Sequence, residues 1–146
     1  MLPEGYAIRR VLKLDYQGYI DTLSGLTTVG KVSESDFETL VAHWDENPIY
    51  RPHVIVNLAD IVVATGMLLV EKKLIHGCGS VGHIEDILVA PSEQGKKLGI
   101  SIITALTEEA KAAGCYKVIL DCSAHNVGFY EKCGYKNDGT EMLFRF

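Results

Sequence analysis

The chain has 146 residues, with 14 Lys and Arg against 19 Asp and Glu, a formal net charge of −5, and 47% hydrophobic residues. That length suits one domain with a real core, and the apolar share excludes a disordered chain. The 14 Gly and 4 Pro follow no period, which excludes collagen-like and low-complexity classes, and the acidic balance argues against a nucleic-acid partner, whose footprint is a basic stripe.

Residues 6–12 predict a strand with a mixed face. Asp15 is placed to cap a short helix reaching about Leu23. After a polar-edged connection at 26–30, Ser33-Glu34-Ser35-Asp36 opens a second helix, with Ser35 and Glu38 at capping-box spacing. Phe37, Leu40, Val41 and Trp44 recur at i, i+3, i+4 and i+7, giving that helix one apolar face, and Asn47-Pro48 ends it. Two apolar runs, 53–56 and 61–70, predict strands joined by a turn at Leu58-Ala59-Asp60. A Gly-rich link leads to a further strand at 82–89, a loop at 90–96, and a helix whose Leu98, Ile102, Leu106 and Ala110 repeat every fourth residue up to Gly114. A buried strand at 117–121, a short helix capped by Asn126 and closed by Gly134, and a terminal strand at 140–146 complete the order βααβββαβαβ. Hairpins in the first half and strand–helix–strand alternation in the second predict a mixed sheet.

The longest nearly apolar run, 61–70, falls short of the roughly 20 residues of a spanning helix. Met1-Leu2-Pro3-Glu4-Gly5 does not read as an export leader. The four cysteines, Cys78, Cys115, Cys122 and Cys133, form no Cys-x-x-Cys pair, so no membrane, reduced thiols and a cytoplasmic location are expected. His76, His83 and Glu85 lack a metal site's spacing, and no metal is expected.

The strongest local feature is the strand–loop–helix unit over 85–106, whose loop carries Gln94-Gly95-Lys96-Lys97-Leu98-Gly99 directly before the helix. A helix N-terminus presents unpaired N–H groups and the positive end of its dipole, and so favours phosphate. Gly95 and Gly99 permit close backbone approach, and Lys96 and Lys97 add charge. An ordinary loop–helix junction with a solvated lysine pair fits the same pattern. The spacing is neither a Walker loop nor a Gly-x-Gly-x-x-Gly fingerprint. Glu85 and Asp86 are neighbours on a strand and so point to opposite faces.

Gln94-x-x-Lys97-x-Gly99 resembles the pyrophosphate-binding motif of the GNAT N-acetyltransferases, Gln/Arg-x-x-Gly-x-Gly/Ala, with Lys97 in place of the first glycine. Four further segments are similar to the glucosamine 6-phosphate N-acetyltransferases of that superfamily: Leu26-Thr27-Thr28-Val29-Gly30, His83-Ile84-Glu85-Asp86-Ile87, the run 115–122, and Asn126-Val127-Gly128-Phe129-Tyr130-Glu131-Lys132-Cys133-Gly134-Tyr135. The similarity covers nearly the whole chain. It implies a single α/β domain over 1–146, of α+β mixed-sheet GNAT fold, with about six or seven strands flanked by about four helices. It implies direct transfer of acetyl from acetyl-CoA to the amine of glucosamine 6-phosphate, giving N-acetylglucosamine 6-phosphate for UDP-N-acetylglucosamine synthesis.

For acetyl-CoA, the resemblance implies contacts from Ile87, Leu88 and Val89, a pyrophosphate cradle of Gly95, Lys96, Lys97, Leu98, Gly99 and Ile100, and contacts from Asn126 and Tyr130. Backbone N–H groups aimed at the thioester oxygen act as an oxyanion hole. Tyr130 would assist the departing thiolate, work that suits a phenol of pKa about 10. Phe129 and Tyr130 as plain core aromatics, with Asn126 only a cap, is the alternative from the residues alone. For the sugar phosphate, the implied contacts are Thr27, Lys73, Leu74, Ile75, His76, Glu85, Asp86, Ile87, Tyr116, Lys117, Asp121 and Arg145, with Glu85 and Asp121 as carboxylates near the amine. The resemblance also implies a homodimer, with the C-terminal strand at the interface and Arg145 reaching the partner's site. Two rivals are the same fold acting on another small amine and a non-catalytic acetyl-CoA-binding module. The set Thr27, Lys73, Tyr116, Lys117 and Arg145 weighs against the first, and Tyr130 against the second.

Overall fold

A continuous apolar run such as Val62-Val63-Ala64 followed by Met67-Leu68 has no polar face to offer solvent, so both faces must be covered. In the computed structural model, which describes residues 1–146, that run is β3 (Val62–Lys72) and is buried on both sides over most of its length. Around it lie β1 (Ala7–Arg10), β2 (Tyr50–Val56), β4 (Ser80–Val89) and β5 (Cys115–Ile119). The five strands form one sheet in sequence order, antiparallel from β1 through β4 and parallel between β4 and β5, the expected mixed sheet.

One face of the sheet packs α1 (Tyr16–Leu23) and α2 (Glu34–Glu46), whose Tyr19, Phe37, Val41 and Trp44 form a core with Val54, Val56, Val62 and Met67. The opposite face packs α4 (Leu98–Ala112) through Leu98, Ile102, Ile103, Leu106 and Ala110, against Ile55, Val63, Leu68 and Ile84. Gly82 allows this close seating, since a Cβ there would lie 3.1 Å from the Ala110 methyl. Two short helices complete the chain: Ile75–Cys78 (α3), one turn with left-handed backbone at His76, Gly77 and Cys78, and Val127–Lys132 (α5).

Several expectations shift. The sheet has five strands rather than six or seven, and α3 adds a fifth helical segment. The cap of α2 is Ser33 with Asp36, not Ser35 with Glu38: the Ser33 hydroxyl accepts from the Asp36 N–H at 3.1 Å. Asp15 does not cap α1 through its side chain, because Arg9 claims that carboxylate in a two-pronged pair at 2.7 and 2.8 Å. Asn126 likewise makes no capping bond. β5 is not a buried strand; it is the sheet edge, with Tyr116 and Ile119 exposed. The terminal strand at 140–146 does not form. A strand exists only as paired backbone, and no segment of this chain pairs with those residues, which leave Met142, Leu143, Phe144 and Phe146 exposed.

Candidate active site

β4 and β5 pair only from Ser80 with Cys115 to His83 with Ile119. β5 ends there while β4 runs on to Val89 without a partner on that side, and a cavity of about 1050 Å³ opens beside them. Glu85, Lys117, Asp121 and Tyr130 line it, with Lys136 to Glu141 of the chain end along one side. Glu85 and His83 are two residues apart on β4 and so share a face. Asp86 does not line the cavity, in keeping with its expected opposite orientation.

The carboxyl of Glu85 is pushed above its ordinary value, first by burial and then by the negative charge of Asp121. Two carboxylates facing one cavity create a local demand for a cation, such as an ammonium. The Tyr130 phenol is also pushed up, mainly by burial, and so stays protonated at neutral pH. Its ring meets Phe129 and Tyr135 edge-on, with centroids 5.0 and 6.3 Å away. Tyr135 is itself tied to α4 through a 2.6 Å hydroxyl contact with Thr107.

The implied cofactor residues gather where β4 ends and α4 begins. Ile87, Leu88, Val89, Gly99 and Ile100 are partly exposed there. Gly99 joins the strand to α5, since a Cβ on it would lie 3.1 Å from the Phe129 ring and 3.7 Å from Val89. Gly95 takes φ +83° and Lys97 φ +63°, so both N–H groups sit on sharply turned backbone just ahead of the helix. Lys97 thus adopts the left-handed conformation natural to the glycine it replaces. Two members of the cradle differ from expectation. Leu98 sends its side chain into the core and leaves only its backbone for a ligand. The Lys96 ammonium is already held by Glu93 at 2.7 Å and by the Tyr6 hydroxyl at 3.0 Å, and these partners push it up to about 12.

The implied substrate residues divide. Lys117, Asp121 and Glu85 share the cavity. Lys73, His76 and Tyr116 form a neighbouring group outside it: His76 stacks on Tyr116 at 4.1 Å, and Lys73 contacts Glu71 at 2.7 Å. Glu71 reaches back to His83 of the cavity wall at 2.7 Å, so one carboxylate links the two groups. Leu74 and Ile75 are exposed on the same link. Thr27, Asp86, Asn126 and Arg145 line no part of the cavity. Sequence reasoning missed the Glu71–His83 link and the Tyr135–Thr107 tie. The first depends on the β3–β4 register, which sets Leu69 opposite His83 and Glu71 opposite Val81 and so makes Glu71 and His83 diagonal neighbours; no local pattern states that register. No three His, Cys, Asp or Glu side chains converge as a metal ion would need.

The acetyltransferase (GNAT) family model matches residues 15–135. A glucosamine 6-phosphate N-acetyltransferase of Candida albicans is 62% identical to this chain, over 100% of the chain and 99% of the relative. The one from Arabidopsis thaliana is 38% identical over 97% of both. A crystal structure of the Arabidopsis enzyme superposes with a TM-score of 0.93, at 37% identity, covering 98% of this chain and 99% of that one. With its β4 running on past β5, the glycine-flanked start of α4 and these relatives, the chain belongs to the acetyltransferase (GNAT) family and, within it, to the glucosamine 6-phosphate N-acetyltransferases.

Proposed function

We propose that this protein transfers the acetyl group of acetyl-CoA to the amine of glucosamine 6-phosphate, giving N-acetylglucosamine 6-phosphate for UDP-N-acetylglucosamine synthesis. The observation that carries the reading is the convergence of Glu85, Asp121 and Tyr130 on one cavity where β4 runs on past β5. The acyl donor lies with its pyrophosphate against the backbone N–H groups of Gly95 to Ile100, its pantetheine arm along Ile87, Leu88 and Val89, and its far side against Asn126. Lys97 supplies a free cationic side chain there, since Lys96 is engaged by Glu93.

The ammonium of the sugar sits toward Glu85 and Asp121, loses a proton through water to Glu85, and its lone pair attacks the thioester carbonyl. The new C–N bond forms as the C–S bond breaks; the nitrogen gives its second proton to water as the amide forms, and the departing thiolate takes a proton from solvent to leave as the CoA thiol. The Tyr130 phenol donates its hydrogen bond to the sulfur as negative charge gathers there. Outright protonation by a group above about 10 of a thiolate near 8.5 is uphill, so its main effect is on the developing charge. The sugar phosphate meets Lys73, His76, Tyr116 and Lys117, with Leu74, Ile75, Thr27, Asp86 and Ile87 bordering the sugar.

The same reading includes a homodimer. Apolar side chains at Met142, Phe144 and Phe146 alternate with Leu143 and Arg145 and have no cover. The outer edge of β5 and the second half of β4 on its β5 side have no strand beside them. A second copy whose chain end pairs along that gap covers both liabilities and brings Arg145 to the partner's phosphate, where a planar guanidinium bonds two oxygens. No helix is long and apolar enough to cross a membrane, and we place the enzyme in the cytoplasm as one domain over 1–146.

The test is mass analysis of the product, with Tyr130→Phe beside the native chain. The native chain yields acetylated sugar phosphate. The variant keeps its affinity for CoA but loses about 10²–10³-fold in kcat, the range for removing one hydrogen-bond donor to developing negative charge. Acetylation of a peptide amine in place of the sugar phosphate, or an unchanged kcat, contradicts the reading.

A further inference from the structure

Where β4 runs on past its pairing with β5, its ladder with its other neighbour, β3, is irregular too. Along the β3–β4 ladder Thr65 faces Leu88, and Met67 faces Glu85. Gly66 therefore stands alone opposite two residues, Asp86 and Ile87, which is the count of a β-bulge. A bulge turns its strand and leaves one residue outside the regular ladder. Here that residue is Asp86, at φ +53°, a left-handed backbone rare for a residue other than glycine.

Two residues of β3 fit this irregularity. Thr65 is wholly buried within an otherwise apolar stretch, and a buried hydroxyl must find a partner. Its Oγ1 donates to the carbonyl oxygen of Asp86, the residue at the bulge, at 3.0 Å. Gly66 leaves the space into which the bulge turns Ile87: a Cβ on Gly66 would lie 2.7 Å from Ile87 Cδ1 and 2.9 Å from Leu106 Cδ1. Valine has the shape of threonine and would fill the same place in this run. The hydroxyl is thus the feature that the fold's apolar pattern does not require.

We propose that Thr65 is a positioning residue: its hydroxyl, acting through the Asp86 carbonyl, fixes the bent path of β4 and so sets where the backbone of Ile87 to Val89 meets the acyl donor. This rests on the acetyl-transfer reading, since the bend acquires its role from the donor that lies along it. Thr65 touches no reacting atom; it holds the strand that does.

The experiment compares Thr65→Val with Thr65→Ser, reading KM for acetyl-CoA and for glucosamine 6-phosphate, the calorimetric Kd for CoA, and Tm. Valine keeps the packing and loses the hydroxyl; serine keeps the hydroxyl and loses a methyl. The proposal expects the valine variant to raise Kd for CoA and KM for acetyl-CoA about tenfold, the scale of one lost buried hydrogen bond. KM for the sugar phosphate rises less, because Lys73, His76, Tyr116 and Lys117 lie off the bulge. The serine variant binds CoA like the native chain even where its Tm falls. Native Kd and KM in the valine variant, or equal loss of CoA affinity in both, overturns the proposal, because a purely structural role moves Tm alone. A native chain that binds CoA but leaves the sugar phosphate unacetylated defeats the functional reading only; the Kd comparison still decides for or against Thr65.

Discussion

Lys97 occupies a position whose backbone suits glycine, and its φ of +63° carries a cost of about 1–2 kcal/mol for a residue with a Cβ. Glycine there would relieve that strain, less the roughly 0.5–1 kcal/mol of extra freedom it holds in the unfolded chain. Lys97→Gly is therefore expected to unfold at a slightly higher temperature, while KM for acetyl-CoA rises and becomes less sensitive to salt, since a charge near phosphate is gone. A fall in Tm together with an unchanged KM contradicts this. Glu85 makes a second split of stability from function. Its carboxyl titrates above the ordinary 4.5 in the folded state, so stability present below that value is lost as pH rises through the raised folded pKa. Glu85→Gln removes the charge, so its Tm should gain on the native chain as pH climbs from about 4.5 toward neutrality, while its kcat/KM for the sugar falls. Equal Tm profiles for the two chains across that range contradict the account. At this scale the sequence revealed which residue types matter and where they cluster. It did not reveal that Lys96 is bound to Glu93 and Tyr6, a partner 90 positions away, or that the Leu98 side chain belongs to the core.

The elements were most legible where their periodicity is long. α4 repeats its apolar residues over four turns, and β3 runs apolar on both faces; both form where expected. Short elements depend on tertiary partners that no local pattern states. Ser33 rather than Ser35 caps α2 because Asp36 lies at its third position and returns the bond, its carboxylate accepting from the Ser33 N–H at 3.0 Å. Asp15 is drawn from the cap of α1 by Arg9 and also accepts from the Leu12 N–H at 2.8 Å, with its side chain 1% exposed. That pair fastens the entry of α1 to β1. Arg9→Ala leaves a buried carboxylate without its cation, which costs about 3–5 kcal/mol. Denaturant unfolding should show a midpoint shift with little change in slope, and a shift no larger than that of an exposed ion pair would mean solvent replaces the guanidinium. The bulge of β4 was invisible in sequence because Glu85-Asp86-Ile87 has nothing that distinguishes a bulged from a straight strand. The signal lies across the ladder, in Thr65 and Gly66.

At the scale of the whole molecule, the terminal strand was legible as an alternating pattern but not as a structure, because pairing is decided by an edge outside residues 140–146. The same absence separates Arg145 from the cavity that Glu85, Lys117, Asp121 and Tyr130 share. The proposed homodimer would close both gaps. Sedimentation should therefore give a dimer, and Arg145→Ala should raise KM for glucosamine 6-phosphate while leaving CoA affinity near native. Mixing Arg145→Ala with Tyr130→Phe chains should restore activity above either alone, because one site of each mixed dimer regains both groups. A fully active monomer contradicts the shared site without touching the chemistry. The chemistry itself is tested most directly by thiol release from acetyl-CoA, measured as kcat/KM with glucosamine 6-phosphate and with glucosamine under matched conditions. The account predicts rapid release with the phosphorylated sugar and a loss of at least about 10²-fold without the phosphate, since a cationic site built for it is then left unpaired. Equal values for the two sugars, or release with neither, would contradict it.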